Sequence, residues 1–118
     1  MAITSELIGK LGGGSEIESW EVSVQVPSNK TGVIDTVNIA SGETKMLVLL
    51  GEFSRSISNI DKSYVQIGEG EIMSPYSGSK IMSAAQVLTS TADIVFSNSS
   101  LNAQVFSGTV YLFDITNL

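Results

Sequence analysis

Carboxylate side chains offer the most plausible route to catalysis in this sequence, because the chain contains no histidine and no cysteine. The missing imidazole excludes Ser-His-Asp relays and the usual zinc and copper sites, and the missing thiol excludes cysteine nucleophiles. Glu69 with Glu71, or Asp61 with Asp93, could serve as an acid and base pair. Glu69 and Glu71 flank Gly70, however, and acidic residues in such a place are typical of a solvated turn. We therefore expect no enzymatic activity and assign no catalytic residue.

Metal and phosphate sites are equally weakly indicated. Asp35, Asp61 and Asp93 could contribute to a calcium site together with carbonyl oxygens, but no D-x-D-x-D-G loop surrounds them. The glycine-rich stretch at 11–15 has no lysine after it and follows no predicted strand, so it is not a phosphate-binding loop. The sequence therefore predicts neither a metal ion nor another cofactor.

Exposed aromatic rings would be expected of a carbohydrate-binding module, which is the alternative function for this chain. Four rings are candidates: Trp20, Tyr64, Tyr76 and Tyr111. Trp20 and Tyr111 lie in strong strand patterns and are better explained as core or interface residues. Tyr76 follows Pro75 in a predicted surface loop, and it is the candidate for a ligand-facing ring.

The charge balance argues against nucleic acid and membrane surfaces as partners. Six basic residues stand against twelve acidic ones, which gives a net charge of −6, and the cations are scattered along the chain. Binding to phosphates requires clustered Lys or Arg. The longest apolar run, 46–50, is far shorter than the ~20 residues that span a bilayer. The first residues also lack the features of a secretory signal, so we do not expect export by that route.

The chain is predicted to consist of an N-terminal arm, residues 1–14, and one domain, residues 15–118. Apolar residues of the arm recur at helical spacing and are its candidate contacts with another protein: Ile3, Leu7, Ile8 and Leu11. A Gly-Gly-Gly hinge at 12–14 then ends any helix. The alternative is a disordered terminus, which is common at chain ends.

Short strand patterns fill the rest of the chain, separated by Gly, Ser, Asn, Asp and Pro clusters. The clearest alternates apolar and polar residues over 20–26. Segment 81–88 is ambiguous between a strand and one or two helical turns, and 103–115 is predicted to be a long strand bent by a bulge at Gly108. About eight strands without a long helix predict an all-β fold, an antiparallel β-sandwich of jelly-roll-like type. The order of the strands cannot be read from these patterns.

Two strands are apolar on both faces, whereas a sandwich strand in water usually has one polar face. They are 46–50 and 110–113. If they are central, their outer side chains need a cover, and self-association would provide one. The alternative is that the arm, a loop or segment 81–88 folds over them. The candidate interface residues are Met46, Val48, Leu50, Tyr111 and Phe113.

The stretch 32–37, the turn Ser41-Gly42-Glu43-Thr44 and the apolar strand after it resemble the opening of small β-sandwich proteins in tailed-bacteriophage virions. The opening residues 3–12 are similar in style to short N-terminal arms of such proteins. The resemblance implies a decoration, fibre-base or tail-accessory role in the virion, commonly as a homotrimer attached to a capsid or tail protein. It carries over no catalytic residue. We therefore expect a non-enzymatic virion structural protein that is anchored by its arm.

Overall fold

A computed structural model of the 118-residue chain describes residues 17–55, 62–75 and 78–118. The described part contains eight strands and no helix. They are β1 (Glu18–Val26), β2 (Lys30–Val37), β3 (Lys45–Phe53), β4 (Tyr64–Ile67), β5 (Ile72–Met73), β6 (Ile81–Leu88), β7 (Ala92–Asn98) and β8 (Gln104–Asp114). The all-β prediction is thus confirmed. The predicted arm, 1–14, lies outside the described residues.

The strands form two four-stranded antiparallel sheets that pack face to face. The first sheet has the order β1-β8-β3-β6, and the second sheet has the order β2-β7-β4-β5. Strand β1 therefore pairs with β8, β2 with β7, β3 with β6 and β4 with β5, as if one long antiparallel ribbon had been rolled up. This is the strand order of a jelly roll, and it confirms the predicted sandwich.

Two local predictions are revised by the pairing. Segment 81–88 is a strand at the edge of the first sheet, since each residue from Ile81 to Leu88 pairs with β3. No bulge occurs at Gly108, because the register of β8 runs unbroken against both of its neighbours. A Cβ at Gly108 would lie 2.3 Å from the carbonyl oxygen of Leu50, so glycine is needed there for a close backbone approach. The bulge occurs instead in β2, between Val33 and Asp35.

Three phenylalanine rings form the centre of the core between the sheets. Phe53 stacks on Phe96 with ring centroids 4.8 Å apart and meets Phe106 edge-on at 5.5 Å. All three rings are fully buried. Because Phe53 and Phe106 come from the first sheet and Phe96 from the second, the cluster joins the two sheets. Aromatic pairs in such geometries add to the free energy gained by burial alone.

Polar contacts close the sandwich at its edges. The Trp20 indole N–H donates to Asp35 Oδ2 at 2.6 Å and so links β1 of the first sheet to β2 of the second. Asn98 is buried, and its amide donates to the carbonyl oxygen of Val26 at 2.9 Å and to that of Asn102 at 2.9 Å. No buried side-chain nitrogen or oxygen of the described residues lacks a hydrogen-bond partner. The buried polar side chains of the described residues are therefore all used in structural hydrogen bonds.

Candidate functional site

The outer face of the first sheet is the candidate functional site, and strand periodicity explains its composition. In β3, Leu47 and Leu49 point inward and are fully buried, so Met46, Val48 and Leu50 point outward. Both sets are apolar. The predicted double-sided strand is thus a central strand of the first sheet, between β8 and β6.

The register places these outward residues in rows with those of neighbouring strands. One row joins Phe113, Met46 and Val87, and continuing the β1 register by one residue places Ile17 beside Phe113. The next row joins Tyr111, Val48 and Ala85. We call this surface, together with Leu50 in the following row, the apolar end: Ile17, Met46, Val48, Leu50, Ala85, Val87, Tyr111 and Phe113.

The same face becomes polar further along the strands. The row that contains Leu50 also contains Glu21, Thr109 and Ser83. The last row runs through Ser23, Ser107, Glu52 and Ile81, and the Ser23 and Ser107 hydroxyl groups lie 3.5 Å apart. The outer face is therefore divided along its length, and its apolar side chains are concentrated at one end.

Exposure shows how far the apolar end meets solvent in the described structure. Leu50 is 46% exposed, Val87 52% and Ile17 43%, while Met46, Val48, Tyr111 and Phe113 are half-buried by one another. The second sheet packs on the opposite side, and none of the described strands lies over this face. A contiguous apolar surface of this kind is typical of a protein contact.

All five sandwich residues predicted from the sequence lie at the apolar end, and the structure adds three more: Ile17, Ala85 and Val87. The added residues come from segments whose strand pairing the sequence left open. The arm residues Ile3, Leu7, Ile8 and Leu11 and the ring of Tyr76 lie outside the described residues.

A groove of about 630 Å³ lies at one end of the sandwich, between the β4–β5 turn and the β6–β7 turn. Its lining includes Gln66, Gln86, Glu69 and Asp93, but no aromatic ring. The Gln66 amide donates to the carbonyl oxygen of Gly70 at 2.7 Å, which fixes that turn. The groove can offer hydrogen bonds to a polar ligand.

The carboxylates considered from the sequence do not converge. Glu69 lines the large groove, whereas Glu71 lines a separate hollow of about 100 Å³. Asp35 accepts hydrogen bonds from Trp20 and from the Thr36 amide, and Asp93 accepts one from the Thr36 hydroxyl at 2.7 Å. Asp61 lies outside the described residues. Within the described ranges, no group of three or more His, Cys, Asp or Glu residues could hold a metal ion.

Asp114 is the last residue of β8. Its pKa is lowered chiefly because the Thr116 hydroxyl donates to Oδ1 at 2.6 Å, with the Thr116 amide at 3.0 Å as a second donor. The Thr116 oxygen also accepts from the Thr44 amide at 3.0 Å. This arrangement fastens the end of the chain beside β3 and has no catalytic partner among the described residues.

No helix of the described residues is long and apolar enough to cross a membrane. Comparison of the chain with protein-family models, with curated proteins and with solved structures found no match.

Proposed function

We propose that this chain is a non-enzymatic structural protein of a tailed-bacteriophage virion, of the decoration, fibre-base or tail-accessory kind. It self-associates, as a homotrimer, through the apolar end of the first sheet. Its arm anchors it to a capsid or tail protein through Ile3, Leu7, Ile8 and Leu11. The observation that carries the proposal is the apolar end itself, which has the composition of a contact surface on a chain of net charge −6.

The fold supports the class of this proposal. The jelly roll is a common fold of viral capsid domains and of lectin domains, and a fold alone does not decide between such roles. The apolar end favours assembly over ligand binding, because its side chains form a continuous surface across β8, β3 and β6, extended by Ile17 just before β1, instead of lining a cleft.

The native mass of the full-length protein tests the self-association. Val48 lies in the middle of the apolar end, and Val48→Lys should convert the assembly to smaller species or monomers, measured by light scattering over a concentration series. Val95→Lys is the matched control, because Val95 is a half-buried, outward-facing valine on an inner strand of the second sheet. A wild-type protein that is monomeric at all concentrations, or equal loss of assembly in both variants, contradicts the proposal.

The anchoring role of the arm has its own test. Deletion of residues 1–14 should leave a folded domain that no longer joins its capsid or tail, measured by incorporation into purified particles. A truncated protein that is incorporated as fully as the complete chain would remove the arm from the proposal without affecting the apolar end.

A carbohydrate-binding role is the second candidate, and the polar groove of about 630 Å³ favours it. Its amide and carboxylate groups suit sugar hydroxyls. Tyr76, the predicted ligand-facing ring, lies outside the described residues and is tested separately. A glycan array should then give hits that Tyr76→Ala and Gln86→Ala both weaken. An array without hits, or hits unchanged in both variants, would reject this candidate.

A further inference from the structure

Strand β6 forms an open edge of the first sheet, and one hydrogen bond fixes which of its backbone groups are free. The Phe53 amide donates to the carbonyl oxygen of Lys80 at 2.8 Å, immediately beyond the last pair of the register, Glu52 with Ile81. In an antiparallel pair, successive residues point their N–H and C=O groups alternately toward and away from the partner strand. Since Lys80 points toward β3, the backbone groups of Ile81, Ser83, Ala85 and Val87 point away from it.

The local contacts agree with this assignment. The Ile81 amide donates to the Ser79 hydroxyl oxygen at 3.2 Å, on the side away from β3. No described residue bonds the outward backbone groups of Ser83, Ala85 or Val87. Their side chains face outward and are exposed, with Val87 at 52%, and Ile81 is 71% exposed. The edge is thus accessible to another strand.

The other three edges of the sandwich carry features that discourage pairing with another strand. Strand β1 bears Glu18 and Glu21, and β2 is interrupted by its bulge beside Asp35. Strand β5 has only two residues and is followed closely by Pro75. Charges, bulges, short strands and proline are the means by which proteins protect sheet edges. Strand β6 has none of them, because residues 81–92 contain no charged residue and no proline.

We propose that β6 pairs with β6 of a second copy across a two-fold axis, so that two first sheets join into one continuous sheet. A two-fold axis perpendicular to the sheet leaves the outer faces of both copies on the same side of the joined sheet. Each residue with an outward side chain is therefore opposite another residue with an outward side chain. Centred on Ala84, the pairing sets Ile81 opposite the partner subunit's Val87, and Ser83 opposite the partner subunit's Ala85. It gives hydrogen-bond partners to the free backbone groups of Ser83 and Ala85.

The edge is complementary to itself, which favours a second copy as the occupant. Each chain carries a net charge of −6, but residues 81–92 carry no charge, so the strand pair itself brings no like charges together. In this register the apolar Ile81 faces the partner subunit's apolar Val87, and the small Ser83 faces the partner subunit's small Ala85. The side chains of Ala85 and Val87 also belong to the apolar end, but the strand pairing is made by the backbone of β6, so the inference does not rest on the proposed function.

The test places a charge on the edge and compares it with a charge elsewhere on the same sheet. Ala85→Lys should raise the concentration at which the full-length assembly half-dissociates at least tenfold, or halve its native mass by light scattering. Ser23→Lys is the matched control, since Ser23 is exposed on β1, the opposite edge of the same face. Ala85→Pro is the second variant, because the Ala85 amide points away from β3 and its loss spares that pairing.

The geometry has an independent readout, because the chain has no native cysteine. A single Ala85→Cys variant should cross-link to itself with a short thiol-specific reagent, since residues diagonal to one another across paired strands are roughly 7–8 Å apart. Ser23→Cys should not cross-link. Retained mass in Ala85→Lys together with no Ala85→Cys cross-link overturns the β6 pairing.

Ala85→Pro separates the two contacts, because it removes an outward amide of β6 without placing a charge in the apolar end. If Val48→Lys lowers the mass and Ala85→Pro does not, the apolar end is the interface and the β6 pairing is rejected. If Ala85→Pro lowers the mass and Val48→Lys does not, the β6 pairing stands and the proposed contact through the apolar end fails. A full-length protein that is monomeric rejects the second copy, and a dimer formed only after deletion of 1–14 would identify the arm as the occupant of the edge.

Discussion

The two sheets contribute to one core but present different outer faces. On the second sheet, hydroxyl groups pair across the strands: Thr36 donates to Asp93 at 2.7 Å, and Thr31 donates to Ser97 at 3.3 Å. On the first sheet, the apolar end has no such pairs, and its side chains lie in adjacent apolar rows. The second sheet therefore has a face suited to water, whereas half of the first sheet's face is suited to another protein surface.

The difference is one of arrangement as well as composition. The second sheet also exposes apolar side chains, with Val33 at 51% and Ile72 at 57%. They share a single row with Val95 and Gln66, and polar residues fill the adjacent rows. At the apolar end, two complete rows are apolar apart from Ser19. Contiguity across rows, more than the number of apolar residues, distinguishes a contact surface from an ordinary face.

The largest loss of stability is expected in the phenylalanine cluster that joins the two sheets. Phe53→Ala removes the ring that contacts both Phe96 and Phe106, and it should lower the free energy of unfolding by about 3–5 kcal/mol. Urea denaturation followed by tryptophan fluorescence measures this value. Ile72→Ala on the outer face of the second sheet is the control and should change stability by less than about 0.5 kcal/mol. Equal effects of both variants would contradict the placement of the core.

A second change tests the close approach within the first sheet. In Gly108→Ala the new methyl group would meet the Leu50 carbonyl oxygen, so β8 and β3 would have to separate locally. We expect a loss of about 1–3 kcal/mol, the usual range for overpacking, in the same urea experiment. Ser107→Ala, one residue earlier and exposed, should be nearly neutral. A neutral Gly108→Ala variant would show that the strands are further apart than described.

Replacing valines of the apolar end with threonines, as on the outer face of the second sheet, tests whether the apolar side chains drive self-association. Val48→Thr combined with Val87→Thr keeps branched side chains that favour strands but adds hydroxyl groups. Self-association should weaken about tenfold, which corresponds to about 1.4 kcal/mol, in sedimentation velocity runs. Thr109→Val, which adds an apolar residue beside the apolar end, should act in the opposite direction. A double variant that associates like the wild type would rule out the apolar end as the contact.

The hydroxyl pairs of the second sheet should contribute less. Thr36→Val removes the donor to Asp93, and a hydrogen bond of this kind contributes about 0.5–1.5 kcal/mol to stability. Thermal unfolding should show a correspondingly small decrease, with no change in native mass. Both bonds are exposed, but the Thr31 bond is longer and its acceptor is a hydroxyl, so Thr31→Val is the comparison and its effect should be smaller. The reverse order would contradict this ranking by length and acceptor charge.

The smallest effect is expected at the end of β8, where the pKa of Asp114 is lowered mainly by the Thr116 hydroxyl. A lowered pKa in the folded state stabilises the protein above the unfolded pKa, and this contribution is lost as pH falls through the folded value. Thr116→Val should therefore raise the pKa of Asp114 and reduce stability more at neutral pH than in strong acid, where only the loss of the contacts with Thr44 remains. A carboxyl NMR titration measures the shift, and an unchanged pKa would exclude the hydroxyl as its cause.

The sequence indicated the residues of the core better than the relations between strands. Alternation of polarity in Trp20, Val22, Val24 and Val26 correctly gave the inward side of β1, because a strand's side chains alternate whatever strand lies beside it. The double apolar character of 46–50 and 110–113 belongs to the two central strands β3 and β8, a position that the sequence had left as a condition. Segment 81–88 remained ambiguous, since its apolar residues fit both periods until pairing with β3 is known.

The sequence by itself determined an all-β domain, the inward side of its strands and the lack of histidine and cysteine chemistry, because these depend on local periodicity and composition. Only the tertiary structure decided that Phe113, Met46 and Val87 share one row, and that β6 is the edge without protection. Rows and edges depend on which distant strands pair. The pairing depends on the free energy of the whole sandwich, which cannot be obtained from the pattern of any single segment.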